Sequence, residues 1–235
     1  MLRDAGTATD PDDSLRIVFV DLEASGLLPG SYPVEVGWAK PRFLPWGGCA
    51  IEVGSVLVRP EPKWLASGGW DPDAERLHGL AREVLSRDGL PAAEACDRLD
   101  QEFSGCLVVT DTGGGSTDDM WLAVLYEAAS REPADWKVEK RTADQVVFDA
   151  CQARGLRPEL LTGPLHWCAP RPTHAAAENA LCAAWRYAMI QQIGRFRIGE
   201  RDDAGQRAAI RNLGRVVPPD CWPRIDARSV FRSRG

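Results

Sequence analysis

The sequence holds no run approaching the roughly 18 apolar residues of a membrane-spanning helix. Its first residues, Met1 to Ser14, are polar and acidic and lack the apolar stretch of a secretory leader. A membrane protein is thereby excluded, and the chain reads as cytoplasmic with a disordered start. It also lacks a Cys-x-x-Cys pair: Cys49, Cys96, Cys106, Cys151, Cys168, Cys182 and Cys221 are odd in number and scattered. That argues against a zinc ribbon or a redox motif and leaves most of them as reduced core residues. Gly113-Gly114-Gly115 lacks the Gly-Lys-Ser/Thr ending of a nucleotide-binding loop, so it reads as a flexible connection. Internal repeats are absent. With 235 residues there is room for one full core and none for a second large domain.

What is present is unevenly charged. The net charge is -6, yet residues 195–235 carry ten Arg against five acids, a surplus of +5, leaving -11 on the rest. Such a basic segment on an acidic body suits a phosphate backbone while carboxylates gather metal, although charge runs are more often solvated surface. The nine tryptophans sit among apolar neighbours, which favours packing over base stacking.

Periodicity predicts a mixed order of elements. Residues 15–20, 33–39 and 49–58 read as three strands in a meander, rich in Val and Ile and separated by Gly/Pro segments. Helical spacing follows at 71–77, 80–87 and 91–103, then a buried strand at 106–110. Thr117 is placed to cap a helix from Asp118 to about Ser130, and further helices are expected at 143–153 and 173–192. This order implies an α/β fold with a central mixed sheet flanked by helices. Asp21 and Glu23 close the apolar run Ile17-Val18-Phe19-Val20. Two apart on a strand, their carboxylates point to one side and can meet one ion.

Taken together, these segments resemble the DEDDh 3'-to-5' exonucleases of the ribonuclease H-like superfamily, a group that includes proofreading exonucleases and ribonuclease T. The likeness runs from about residue 15 to 190. Ile17 to Leu27 is similar to the family's opening strand, and Tyr32-Pro33-Val34-Glu35-Val36-Gly37-Trp38-Ala39 to its second. Ala74-Glu75-Arg76-Leu77-His78-Gly79-Leu80 is similar to the His-Gly-Ile segment near the substrate end. Val108 to Leu122 resembles the stretch carrying the third acid, where spacing to an aromatic and a leucine selects Asp118, with adjacent Asp119 as a substitute. The last motif departs from the pattern: in His174-Ala175-Ala176-Ala177-Glu178-Asn179-Ala180, Asn179 stands where the family has Asp.

The resemblance implies a ribonuclease H-like exonuclease fold over residues 15–192, followed by a basic C-terminal extension, 193–235. It implies a two-metal phosphodiester hydrolase acting at the 3' end of single-stranded DNA or RNA or short oligonucleotides, with Mg²⁺ or Mn²⁺ as cofactor and His174 as general base. Asp21, Glu23 and Asp118 would be metal ligands. Asn179 would be a neutral and weaker one, so that one ion is held loosely, and Glu178 next door would stand in for the missing charge. Leu22, Ala24, His78, Gly79 and Leu80 would contact substrate. Some relatives dimerise, so a homodimer is compatible with this reading. The Asn179 departure also fits a weakened or silent relative that binds nucleic acid or protein.

Overall fold

The structure is a computed structural model that describes residues 16–45, 47–115, 117–161, 165, 169 and 175–226. Its centre is a six-stranded sheet in the order β5-β4-β1-β2-β3-β6. The strands are β1 (Arg16–Ala24), β2 (Pro33–Phe43), β3 (Cys49–Leu57), β4 (Cys106–Thr110), β5 (Lys137–Val138) and β6 (Pro223–Asp226). The first three form the antiparallel meander expected from their Val/Ile-rich runs and Gly/Pro separators. The strands β4, β5 and β6 join in parallel.

Strand β1 runs farther than its apolar run indicates. Pairing with β2 continues through Glu23↔Glu35 to Ala24↔Pro33, with a register shift at Glu23/Ala24. Asp21 and Glu23 therefore lie within the strand rather than after it. The helices among the described residues include α1 (Pro62–Ser67), α2 (Pro72–His78), α3 (Arg82–Asp88), α4 (Ala92–Phe103), α5 (Thr117–Ala128), α6 (Ala143–Ala153), α7 (Ala176–Arg195), α8 (Asp203–Arg211) and α9 (Leu213–Val216). Local chemistry explains several ends. Asp71 accepts the Asp73 N–H at the start of α2, and a Thr142–Gln145 capping box opens α6. Thr117 is the first helical residue of α5 rather than its cap.

Each face of the sheet buries its own core. Val18, Val20, Leu22, Val36 and Val108 point toward α4 and α5. Phe19, Ala39, Ile51 and Val109 point the other way, toward α6 and α7. The described part of the basic extension is built into this second layer: Ala209, Ile210, Leu213 and Val217 are buried there, and β6 pairs with β3. Among the described residues no helix is long and apolar enough to cross a membrane.

Candidate functional site

The strand alternation that buries Leu22 and Ala24 on the α5 side turns Asp21 and Glu23 toward the first turn of α7. Two features of β2 bring that turn onto the sheet. Directly opposite Asp21 in the register is Gly37, where a Cβ would lie 2.1 Å from the Ala177 nitrogen and 2.2 Å from the Ala176 carbonyl carbon. Only a glycine lets the helix sit this close. Opposite Glu23 is buried Glu35, whose carboxylate accepts the Ala176 N–H at 3.3 Å. It fills the place of a cap, because Ala175 has no side-chain oxygen to offer.

So anchored, α7 aims Asn179 at Asp21, and the Asn179 Nδ2 donates to Asp21 Oδ2 at 3.1 Å. Asp118 approaches from the start of α5. It is 4% exposed and accepts from the Thr112 hydroxyl at 2.9 Å and the Thr112 N–H at 3.3 Å. Its neighbour Asp119 points away and accepts the Gly115 N–H at 2.7 Å, bracing the glycine loop. Of the two adjacent acids, Asp118 is therefore the one whose charge reaches Asp21.

Burial, the Asp118 charge and, more weakly, Glu23 and Asp111 push the Asp21 carboxyl up to about 8, against the opposing hydrogen bond from Asn179. Asp118 is raised too, by burial above all, while its bonds to Thr112 hold it down. Asp111 was not anticipated as part of this group. It follows the last residue of β4, Thr110, which pairs with Val20, and this sets it beside Asp21. The Asp111 carboxyl is raised as well, by burial above all and by the Asp144 charge, against the opposing charge of Arg186, which pairs with Asp144 at 2.8 Å farther along α7.

These shifts carry a pH dependence. A carboxyl whose folded value lies above its ordinary one holds a proton that the unfolded chain releases. That contribution to stability is complete below about pH 4 and is lost as pH rises toward 8. In EDTA, the melting temperature should fall by several degrees, on the order of 2–4 °C per kcal/mol, as pH rises through this window. Asp21→Asn should flatten the slope. A wild-type slope kept in that variant would assign the effect elsewhere.

The remaining expected residues are placed as follows. His174 lies outside the described residues. Glu178 is partly exposed in the first turn of α7. His78 is 1% exposed, accepts the Leu80 N–H on Nδ1 at 3.0 Å and meets Trp70 edge-on. Gly79 adopts a left-handed conformation that ends α2, and Leu80 is buried in the α5-side core. The side chains of Leu22, Ala24, His78 and Leu80 are all buried.

A groove of about 550 Å³ lies between the β1–β2 connection, α1 and the Thr117–Met120–Val124 face of α5. Its walls include Leu27, Leu28, Trp64, Met120, Trp121 and Val124. Leu27 is 82% exposed, Leu28 59% and Met120 53%, an unusual display of large apolar side chains on one surface. Trp121 keeps its indole N–H buried without a partner among the described residues. The sequence signal for this groove was weak: α5 carries more apolar residues than one buried face requires.

Among the described residues no three His, Cys, Asp or Glu side chains form a ready-made metal site. The donor chemistry nevertheless fits one hard divalent cation. Asp21, Glu23 and Asp118 offer carboxylate oxygens, and the hydrogen bond from Asn179 only in part offsets the burial and charge repulsion at Asp21. A second ion is poorly provided for, because Asn179 brings an amide where a carboxylate would be needed.

Comparison with solved structures finds this architecture in exonuclease I. One exonuclease I structure matches 85% of this chain and 44% of its own, with a TM-score of 0.53 and 14% identity. E. coli exonuclease I in complex with a dT13 oligonucleotide matches 77% of this chain and 42% of its own, at a TM-score of 0.50 and 14% identity. The same enzyme with a dA16 oligonucleotide matches 82% and 42%, at 0.50 and 13%. The fold is that of the ribonuclease H-like exonucleases. The chain spans less than half the length of each of these structures. No protein-family model matches it, and no curated protein does.

Proposed function

We propose that the protein is a metal-dependent 3'-to-5' exonuclease acting on single strands. The observation that carries this reading is the coupling of Asp118 and Glu23 to Asp21 in an exonuclease fold, with an apolar groove walled in part by α5, the helix that carries Asp118. Oligonucleotides bound to the E. coli enzyme support a single-stranded DNA substrate. A divalent ion at such a site would supply an activated water and charge stabilisation. Asp21, Glu23 and Asp118 would hold it, and Asn179 would orient Asp21 through its amide. Leu27, Leu28 and Met120 would receive the flat apolar faces of the terminal bases. His174 would take the proton of the attacking water.

A second reading, a weakened or silent relative that binds strands without cutting them, draws on the Asn179 Nδ2 bond to Asp21. That bond occupies with a neutral donor an oxygen that a cation would use. One experiment separates the two. Single-stranded oligonucleotides labelled at the 3' or the 5' end are incubated with Mn²⁺ or EDTA, beside Asp21→Ala. The proposal expects a ladder shortening from the 3' end in Mn²⁺ alone, reduced at least about 1,000-fold in the variant. Binding without any shortening would favour the silent relative.

A further inference from the structure

Helices α8 and α9 carry cations that the acid site does not use. From Ala204 to Val217 the chain has three arginines, Arg207, Arg211 and Arg215, and no carboxylate. On this stretch Gln206, Ala209, Ile210, Leu213 and Val217 are buried, a spacing of three and four that continues through the helix break at Asn212. The arginines consequently share the outer face, one every fourth residue, and all three are exposed. Ala204, Ala208 and Gly214 around them are exposed and small, so nothing screens the guanidinium groups from a partner lying flat on the helix.

Neighbouring cations are already engaged: Arg157 pairs with Asp203 and Glu159, and Arg197 with Glu200. Among the described residues Arg207, Arg211 and Arg215 make no ion pair. A solvated face in a chain of net charge -6 would more often mix both signs.

We propose that this stripe is a second contact for single-stranded nucleic acid, gripping its phosphate backbone away from the acid site. The identity of the polyanion rests on the proposed function. Four helical residues advance roughly 6 Å, a spacing that lets successive guanidinium groups meet successive phosphates of one strand, and guanidinium groups are matched to phosphate oxygens.

Its position sets a length requirement. Asn179 is in the first turn of α7, and α8 follows the far end of that helix at Arg195, about 24 Å along the axis. A trinucleotide in the acid site is expected to fall short of the stripe. A strand of about twenty nucleotides reaches both.

The test is anisotropy of labelled oligothymidylates, a trimer and an approximate 20-mer, with the full chain in EDTA so that no cleavage intervenes. Wild type is compared with the triple variant Arg207→Gln, Arg211→Gln, Arg215→Gln between about 50 and 200 mM salt. For the 20-mer, the triple variant should bind about tenfold or more weakly. The slope of log K against log salt should shrink by about 2, or 0.7 per lost single-strand phosphate contact. Trimer binding and melting temperature should not change. An unchanged slope, equal losses on both lengths, or binding of polyglutamate instead of the 20-mer would each overturn the proposal. Failure of the exonuclease reading looks different: no cleavage in Mn²⁺, with the arginine-dependent slope intact.

Discussion

Replacing Asn179 by Asp should tighten Mn²⁺ binding by about 10- to 100-fold and raise any cleavage rate with it. The wild-type amide donates to Asp21 Oδ2, so it already lowers the cost of ionising that carboxyl, yet Asp21 remains up at about 8. In Asn179→Asp the donor becomes a second carboxylate at hydrogen-bonding distance. Two unit charges about 4 Å apart interact by roughly 4 kcal/mol at an effective dielectric of 20. Without metal the pair must share a proton at neutral pH, and in EDTA the variant should lose several degrees of melting temperature above pH 7. With metal the sign reverses, because the added charge faces a cation. After desolvation, a net gain of about 1.4–2.8 kcal/mol corresponds to the stated range. Calorimetric Mn²⁺ titration at pH 7.5 reads the affinity without relying on activity. An unchanged Kd would show that charge at position 179 does not limit metal binding.

How far this site was legible from the chain depends on the scale of the contact that makes it. The Val/Ile-rich runs at Ile17 to Val20 and Val34 to Ala39, bounded by Gly/Pro segments, marked the meander, and two-residue spacing set Asp21 and Glu23 on one face, because both are properties of a single strand. The spacing to Trp121 and Leu122 favoured Asp118 over Asp119, and the structure couples Asp118 to Asp21. Asp111 escaped notice because its role comes from parallel pairing of β4 with β1, a contact between residues 90 apart in sequence. The two-residue strand β5 and the six-residue helix α1, with Trp64 alone buried, are too short to leave a period. In the basic segment, the abundance of arginine drew attention away from the buried series Gln206, Ala209, Ile210, Leu213 and Val217, which joins it to the core. The Leu27, Leu28 and Met120 surface was hidden for the opposite reason: apolar residues are read as interior, and only coordinates show three of them outside.

Gly37→Ala should be strongly destabilising and should disturb the acid site as well. Its Cβ would meet backbone atoms of Ala176 and Ala177 at 2.1–2.6 Å, and backbone at the start of a 20-residue helix cannot swing aside as a side-chain tip can. Either β2 or α7 has to move. Overpacking of this kind costs typically about 1–3 kcal/mol. Displacement of α7 would also break the Glu35 bond to the Ala176 N–H, leaving a buried carboxylate short of a partner for roughly another 1–3 kcal/mol. A total near 4 kcal/mol is a large share of a domain's usual 5–15 kcal/mol. Chemical denaturation should show it as a lowered midpoint at unchanged slope. Gly105→Ala is the matched control, since nothing lies within 4 Å of its Cβ and only the left-handed backbone is strained, at about 1 kcal/mol. The site should respond as well. With α7 pushed outward Asn179 leaves Asp21, the one hydrogen bond that lowers its pKa is lost, and the Asp21 carboxyl should titrate higher still by NMR. Wild-type stability together with an unmoved Asp21 titration would mean that the close approach of α7 to Gly37 is not what holds Asn179 in place.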